Sequence, residues 1–297
     1  MKFTRIFIFL AALSLLGMVF SCKVNDKKKR TVTVTILPQQ YFAQKIAGDK
    51  FDVHVMVPAG SSPESFDPSP TSLVKVENSE AYFKIGHIGF ELAWMDKLSR
   101  LAPDLKIYDN SQGIDLLHNE GHTCSHTDGH AHEHLGEEGV DPHTWTSPRN
   151  AAIIANNMLK AFIEMSPADS AYFRSNYNGL MEEINATTHT VDSLLTDLPA
   201  RSFVIYHPSL TYLANDYHLN QFAIENEGKE PSAQYLKSMI DSVRATGAKV
   251  VFIQQEFDEK NAQVVASEVG AKVVSINPLS YNWSEEMIQI AKSLHEQ

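Results

Sequence analysis

Between Ser166 and Pro199 the sequence carries one unbroken helical pattern, and that feature divides everything else into two parts. Ser166 suits an N-cap and Pro167 the first helical position. Apolar residues then recur at Phe173, Tyr177, Leu180, Ile184, Val191, Leu195 and Leu198, in helical steps, before Pro199 closes the pattern. At about 1.5 Å per residue, some thirty residues make a rod of roughly 45 Å, enough to run the height of a molecule. On either side, strand-like runs alternate with helical ones. TVTVTI (31–36), FDVHVMV (51–57), AYFKI (81–85) and LKIYD (105–109) precede the rod, with helix-compatible QQYFAQKIAGD and GFELAWMDKLSRLAP between them. SFVIY (202–206), QFAI (221–224), KVVFI (249–253) and AKVVSI (271–276) follow it. Such alternation predicts α/β layers with parallel sheets. The expected architecture is two similar α/β lobes, residues 31–165 and 199–297, joined by one long rigid spine helix over 166–198.

The first residues read as a targeting device. Lys2 and Arg5 precede the apolar run from Ile6 to Phe20, the pattern of a secretory signal and short of the roughly 20 residues a spanning helix prefers. Val19-Phe20-Ser21-Cys22 resembles a bacterial lipobox. The resemblance implies a signal peptide over 1–21, acylation of Cys22, and KVNDKKKR as a lipid-anchored spacer within 22–30. The mature body is then expected to be tethered to the cell-envelope membrane, on its periplasmic or extracellular face. Removing the leader leaves 23 basic against 36 acidic residues, a net charge of −13, which argues against a nucleic-acid partner. The only cysteines are Cys22 and Cys124, so acylation of the first leaves no disulfide framework.

Residues 118–139 form a histidine-rich loop. His118, His122, His126, His130, His132 and His134 lie there beside Cys124, Asp128 and Glu133, all donors suited to ions such as Zn²⁺. Glycines at 121, 129, 136 and 139, and a near absence of apolar residues, predict accessory metal contacts rather than one preorganised site. His130-Ala131-His132-Glu133-His134 satisfies H-x-x-E-H, a metallopeptidase pattern, but that chemistry needs a rigid helix which the flanking glycines disfavour.

VDPHTWTSPRN (140–150) follows the loop. With VPAGSSPESFDPSPTSL (57–73), GHIGFELAW (86–94), YHPSLTYLANDY (206–217) and ENEGKEPSAQYL (225–236), it resembles the metal-binding proteins of bacterial ABC importers, the zinc and manganese cluster. The resemblance covers nearly the whole mature chain, with five elements in order. It implies a metal site in the cleft between the lobes, with His143 and His207 as ligands from opposite lobes. Where the family usually has histidine after the proline of its glycine-rich segment, this chain has Glu64. That carboxylate either ligates or is a surface glutamate, with His87 or a loop histidine filling the gap. The fourth position is open as well: Asn277 stands where manganese members carry aspartate, and Glu256 is another acidic candidate. Two imidazoles and a carboxylate favour Zn²⁺, with Mn²⁺ or Fe²⁺ as alternatives. By this resemblance the chain is a monomeric solute-binding lipoprotein, not an enzyme, whose partners are an ABC permease and its ATPase. The competing readings are a lipid-anchored metal buffer or adhesin, in which the loop is the function, and a zinc hydrolase, for which no motif supplies a general base.

Overall fold

The computed structural model describes residues 29–118, 139–225 and 228–297. The expected signal segment, Cys22, Cys124, His122, His126, His130, His132 and His134 lie outside the described residues. His118 lies inside them and pairs with Val140 in an isolated antiparallel bridge. Among the described residues, no helix is long and apolar enough to cross a membrane.

All eight strand-like runs become strands. β1 (Arg30–Val34), β2 (Phe51–Val55), β3 (Ala81–Lys84) and β4 (Lys106–Asp109) form one sheet in the order β2-β1-β3-β4. β5 (Ser202–Ile205), β6 (Asn220–Ala223), β7 (Val250–Gln254) and β8 (Lys272–Ile276) form a second in the order β6-β5-β7-β8. Every pairing is parallel. The central strands β5 and β7 are buried at every residue, whereas the edge strands β4, β6 and β8 are largely half-exposed. This explains why the central runs read as continuous apolar stretches. In each sheet the strand order reverses beside the first strand. Ligands of open α/β sheets bind in the crevice that such a reversal leaves at the carboxyl ends of the strands.

The helices in chain order are α1 (Leu37–Ala47), α2 (Pro70–Glu77), α3 (Gly89–Leu101), α4 (Pro148–Met165), α5 (Ser170–Thr196), α6 (Thr211–Asp216), α7 (Ala233–Arg244), α8 (Glu259–Val269) and α9 (Trp283–His295). The spine is α5, and its buried stripe of Phe173, Leu180, Ile184, Val191 and Leu195 follows the sequence pattern. Its start differs from expectation. Pro167–Asp169 form a single 3₁₀ turn, and the Ser166 hydroxyl donates to Asp169 Oδ2 at 2.7 Å instead of capping the helix. Asp169 also holds Lys50 at 2.9 Å, tying the spine's entry to the turn before β2. The 18-residue α4 was not anticipated, although Ser147 caps it by accepting from Asn150 N–H and Pro148 opens it.

The spine packs against α1, α4 and α9. One apolar cluster consequently runs from Val32 and Phe83 through Phe162, Phe173 and Leu195 to Phe203 and Phe252, spanning both sheets. Smaller clusters sit on the outer faces, around Met56, Tyr82 and Phe90 and around Val204, Ile240 and Val251. Two tryptophans lock the halves together: Trp145 Nε1 donates to the Pro278 carbonyl, and Trp283 Nε1 to the Trp145 carbonyl, each at 2.8 Å. Trp283 also meets Phe42 edge-on, with ring centroids 5.3 Å apart. Replacing Trp283 by Phe keeps an aromatic ring against Phe42 but orphans the buried Trp145 carbonyl. A loss of about 1–3 kcal/mol is expected, read as a lower urea midpoint with an unchanged slope.

Candidate metal centre

Strand register sets up the first half of the centre. Ile205 pairs with Ala223 on one side and Phe252 on the other, so two residues further on His207 falls between Glu225 and Gln254. Both neighbours hold it. His207 Nδ1 lies 2.8 Å from Glu225 Oε1, while Gln254 accepts from His207 N–H at 3.3 Å and donates to its carbonyl at 2.6 Å. The Phe257 ring stacks on the imidazole at a centroid distance of 5.6 Å. With Nδ1 committed to a carboxylate, the ring is held in one orientation and Nε2 is the nitrogen left to bind.

His143 reaches the same point from the other half of the chain. Its Nδ1 and its backbone N–H both lie 2.9 Å from Asp141 Oδ1. The segment is pinned by Tyr212, whose hydroxyl donates to the Asp141 carbonyl at 2.8 Å and accepts from Leu117 N–H at 3.1 Å. Burial opposes charge on the His143 ring, but Asp141 beside it, with Glu64 and Glu225 further off, outweighs that and lifts its pKa above the ordinary imidazole value. Burial likewise pushes the Asp141 carboxyl up, yet its contacts with His143 and Thr211 hold it below the usual range.

Glu64 arrives on the turn after β2. Its Oε2 accepts from Gly89 N–H at 3.2 Å, the opening amide of α3, where the unpaired N–H groups and the helix dipole favour an anion. Its Oε1 lies 3.8 Å from His143 Nε2. The approach is close enough that a Cβ on Gly89 would stand 2.2 Å from the Glu64 carbonyl oxygen. Glu91 braces the turn leading to Gly89 by accepting from Ile85 and Gly86 N–H at 2.8 and 2.7 Å and from the Thr35 hydroxyl. Burial pushes its pKa up to about 7, against those hydrogen bonds. Gly89→Ala sets backbone against side chain, so the Glu64 segment must move. The expected result is a loss of about tenfold in zinc affinity with about 1–3 kcal/mol of stability, read by chelator competition and urea unfolding.

The two Nε2 atoms stand 3.1 Å apart, and one donor atom each from Glu64, His143 and His207 falls within 4.8 Å of the others. A tetrahedral Zn²⁺ with Zn–N bonds of about 2.0–2.1 Å separates its nitrogens by about 3.3 Å, so this spacing suits one ion. Two neutral imidazoles cannot both present lone pairs at such a distance without a proton or a cation between them. The remaining candidates are placed otherwise. Glu256 lines the same cavity, with Pro63, Trp145, Phe257 and Leu279, but its carboxylate is not in the three-donor group. Asn277 lines a smaller neighbouring cavity with Ile36 and Gly60, and its N–H donates to Glu286 Oε1 at 2.7 Å. His87 adopts a left-handed φ of 62° and its buried Nδ1 lacks a hydrogen-bond partner among the described residues. The orienting roles of Asp141, Glu225 and Gln254, and the close approach at Gly89, had not been assigned from the sequence. Only the strand register and the β2–α3 contact bring them to the donors.

Comparison with known proteins gives a consistent picture. A family model described as zinc-uptake complex component A, periplasmic (ZnuA), matches residues 32–296. The zinc-binding protein AdcA of Streptococcus pyogenes serotype M3 is 26% identical over 295 residues, covering 94% of this chain and 57% of its own length. The zinc-binding lipoprotein AdcA of Streptococcus pneumoniae serotype 4 is 28% identical over 284 residues, covering 93% and 55%. The chain thus spans a little over half the length of these curated relatives. A crystal structure of ZnuA superposes with a TM-score of 0.81 at 34% identity, covering 91% of this chain and 99% of that one.

Proposed function

The chain belongs to the family of the periplasmic zinc-uptake component A, and from that premise we propose that it captures a divalent transition metal, zinc foremost, for delivery to an ABC permease and its ATPase. The reading rests on one observation: imidazoles from opposite halves of the chain aim Nε2 at a common point, each fixed by a buried carboxylate behind it. His143, His207 and Glu64 are the proposed ligands. Glu64 makes the donor set harder than three imidazoles would be and moves preference a step toward Mn²⁺ or Fe²⁺. The metal is cargo, bound and released without chemistry, and no general base is assigned to it.

The shared core and the tryptophan clamps favour small tilts of the lobes around the ion over a wide hinge closure. Cys22 is the proposed lipid anchor, holding a monomer at the envelope membrane; the pneumococcal relative named as a lipoprotein supports this placement. The test separates capture from buffering. The intact protein and a variant lacking 119–138 are stripped of metal and titrated with zinc against a chromophoric chelator. Capture at the cleft leaves one tight site in both. If the shortened protein holds no tight zinc, the loop is the binder and the protein is a buffer.

A further inference from the structure

Three donors leave one vertex of a tetrahedral ion open. Resting on the metal-capture reading above, we propose that Glu256 fills that vertex, so that each half of the chain contributes one imidazole and one carboxylate. His207 follows β5 and Glu256 follows β7, the neighbouring strand across the crevice where the strand order reverses. Glu256 lines the cavity that holds Glu64, His143 and His207. The residues flanking it are fixed on His207: Gln254 grips the histidine backbone on its N–H and its carbonyl, and Phe257 stacks on the ring.

The other acids nearby are already committed. Asp141 and Glu225 orient the imidazoles, and Asp258 accepts from Lys260 N–H at 2.7 Å to cap α8. Glu256 alone among these has no hydrogen bond or ion pair with any described residue. Its backbone is held at the site while its carboxylate lies outside the 4.8 Å donor group, so ligation requires rotation of its own side chain. A ligand that swings in over an otherwise complete half-shell is the last to bind and the first to leave, which suits a protein that must surrender its cargo. The resulting set of two nitrogens and two charged oxygens discriminates zinc from manganese and iron less sharply than a histidine-rich one.

Co²⁺ serves as a spectroscopic stand-in for zinc and azide as a probe of the open vertex, with the full chain, Glu256→Gln and Glu256→Ser compared. The expected result is that azide leaves the Co²⁺ visible bands of the wild-type protein unchanged and shifts those of Glu256→Ser. Zinc affinity by chelator competition should fall about tenfold in Glu256→Gln. Unchanged melting of the metal-free variants guards against a folding effect, since Glu256 makes no hydrogen bond or ion pair with a described residue. Azide shifting the wild-type bands as readily as those of the variant, or equal zinc affinity in Glu256→Gln, overturns the proposal while leaving the three-ligand site standing. Failure of the wild-type protein to take up one Co²⁺ or Zn²⁺ overturns the capture reading itself.

Discussion

His143→Ala is expected to weaken zinc binding by about two to three orders of magnitude, and His207→Ala by a similar factor although its side chain lies in the other half of the chain. Structural zinc sites bind with about 10–16 kcal/mol from four donors, or about 2.5–4 kcal/mol for each. The imidazoles should carry the upper part of that range here, because each is pre-aimed by a carboxylate on Nδ1 and the two Nε2 atoms already stand 3.1 Å apart. Thermal shift gives the readout. A ligand present at about a thousand times its Kd adds about 4 kcal/mol to stability, so zinc should raise the melting temperature of the wild-type protein by several degrees and that of either variant by about a third as much or less. The metal-free proteins must be compared as well. His143→Ala strands the buried Asp141 carboxylate, which keeps a backbone N–H but loses its ring partner, and should melt lower than wild type. His207→Ala leaves Glu225 in the same position but nearer to solvent and should melt closer to wild type. If zinc still stabilises either variant as strongly as the native protein, the two imidazoles are not the ligands.

The parts of this molecule that could be read from its sequence are those whose determinants are local. A strand in a parallel sheet covered on both faces needs only consecutive apolar residues, so SFVIY and KVVFI announced β5 and β7 without knowledge of their neighbours. The spine was visible because Phe173, Leu180, Ile184, Val191 and Leu195 keep helical step through polar surroundings. Its exact start was not, since the Ser166 hydroxyl is taken by Asp169 Oδ2 in a 3₁₀ turn, and Asp169 is also paired with Lys50, which is distant in sequence. Helix α4 carried an equally regular stripe of Ala151, Ile154, Ala155, Met158 and Phe162, with Ser147 and Pro148 at its head, and could have been found by the same reasoning.

The candidate site divides along the same line. His143 and His207 stand in compact motifs, and motif resemblance sufficed to single them out. Glu64 was ambiguous because its environment is supplied by Gly89, on a turn 25 residues later, which neither residue advertises alone. Glu225 lies 18 residues from His207, and its role exists only because β6 pairs with β5 in the one register that sets these residues side by side. A shift of one residue would turn the carboxylate to the opposite face and leave the imidazole free to rotate. Tertiary pairing, which a single sequence does not display, is what converts two histidines into a preorganised pair.

Acidification should abolish the zinc-induced rise in melting temperature, and the signs of the shifted groups fix the direction. Ligation needs the Nε2 lone pair of His143, so a proton competes with the ion for that nitrogen. In the metal-free protein burial disfavours that proton, but Asp141, Glu64 and Glu225 together hold it above the ordinary imidazole value. The metal-free fold therefore gains stability from this group at low pH and loses the gain as pH rises through the raised value. Glu91 acts in the same sense: burial keeps its carboxyl protonated up to about 7, so its contribution is complete below 4.5 and is lost as pH climbs through 7. Zinc stabilisation runs the other way, because each pH unit below the His143 value costs about tenfold in affinity from that residue alone. The difference in melting temperature between zinc-loaded and metal-free protein should thus be large near about pH 8 and vanish near about pH 5.5, with decline beginning above the pH at which an unperturbed imidazole titrates. Carboxylate ligation alone would keep most of its strength to about pH 5, since ordinary carboxyls hold their protons only below that. An equal shift at both ends of the range would remove histidine from the metal's coordination, and with it the capture mechanism proposed for this cleft.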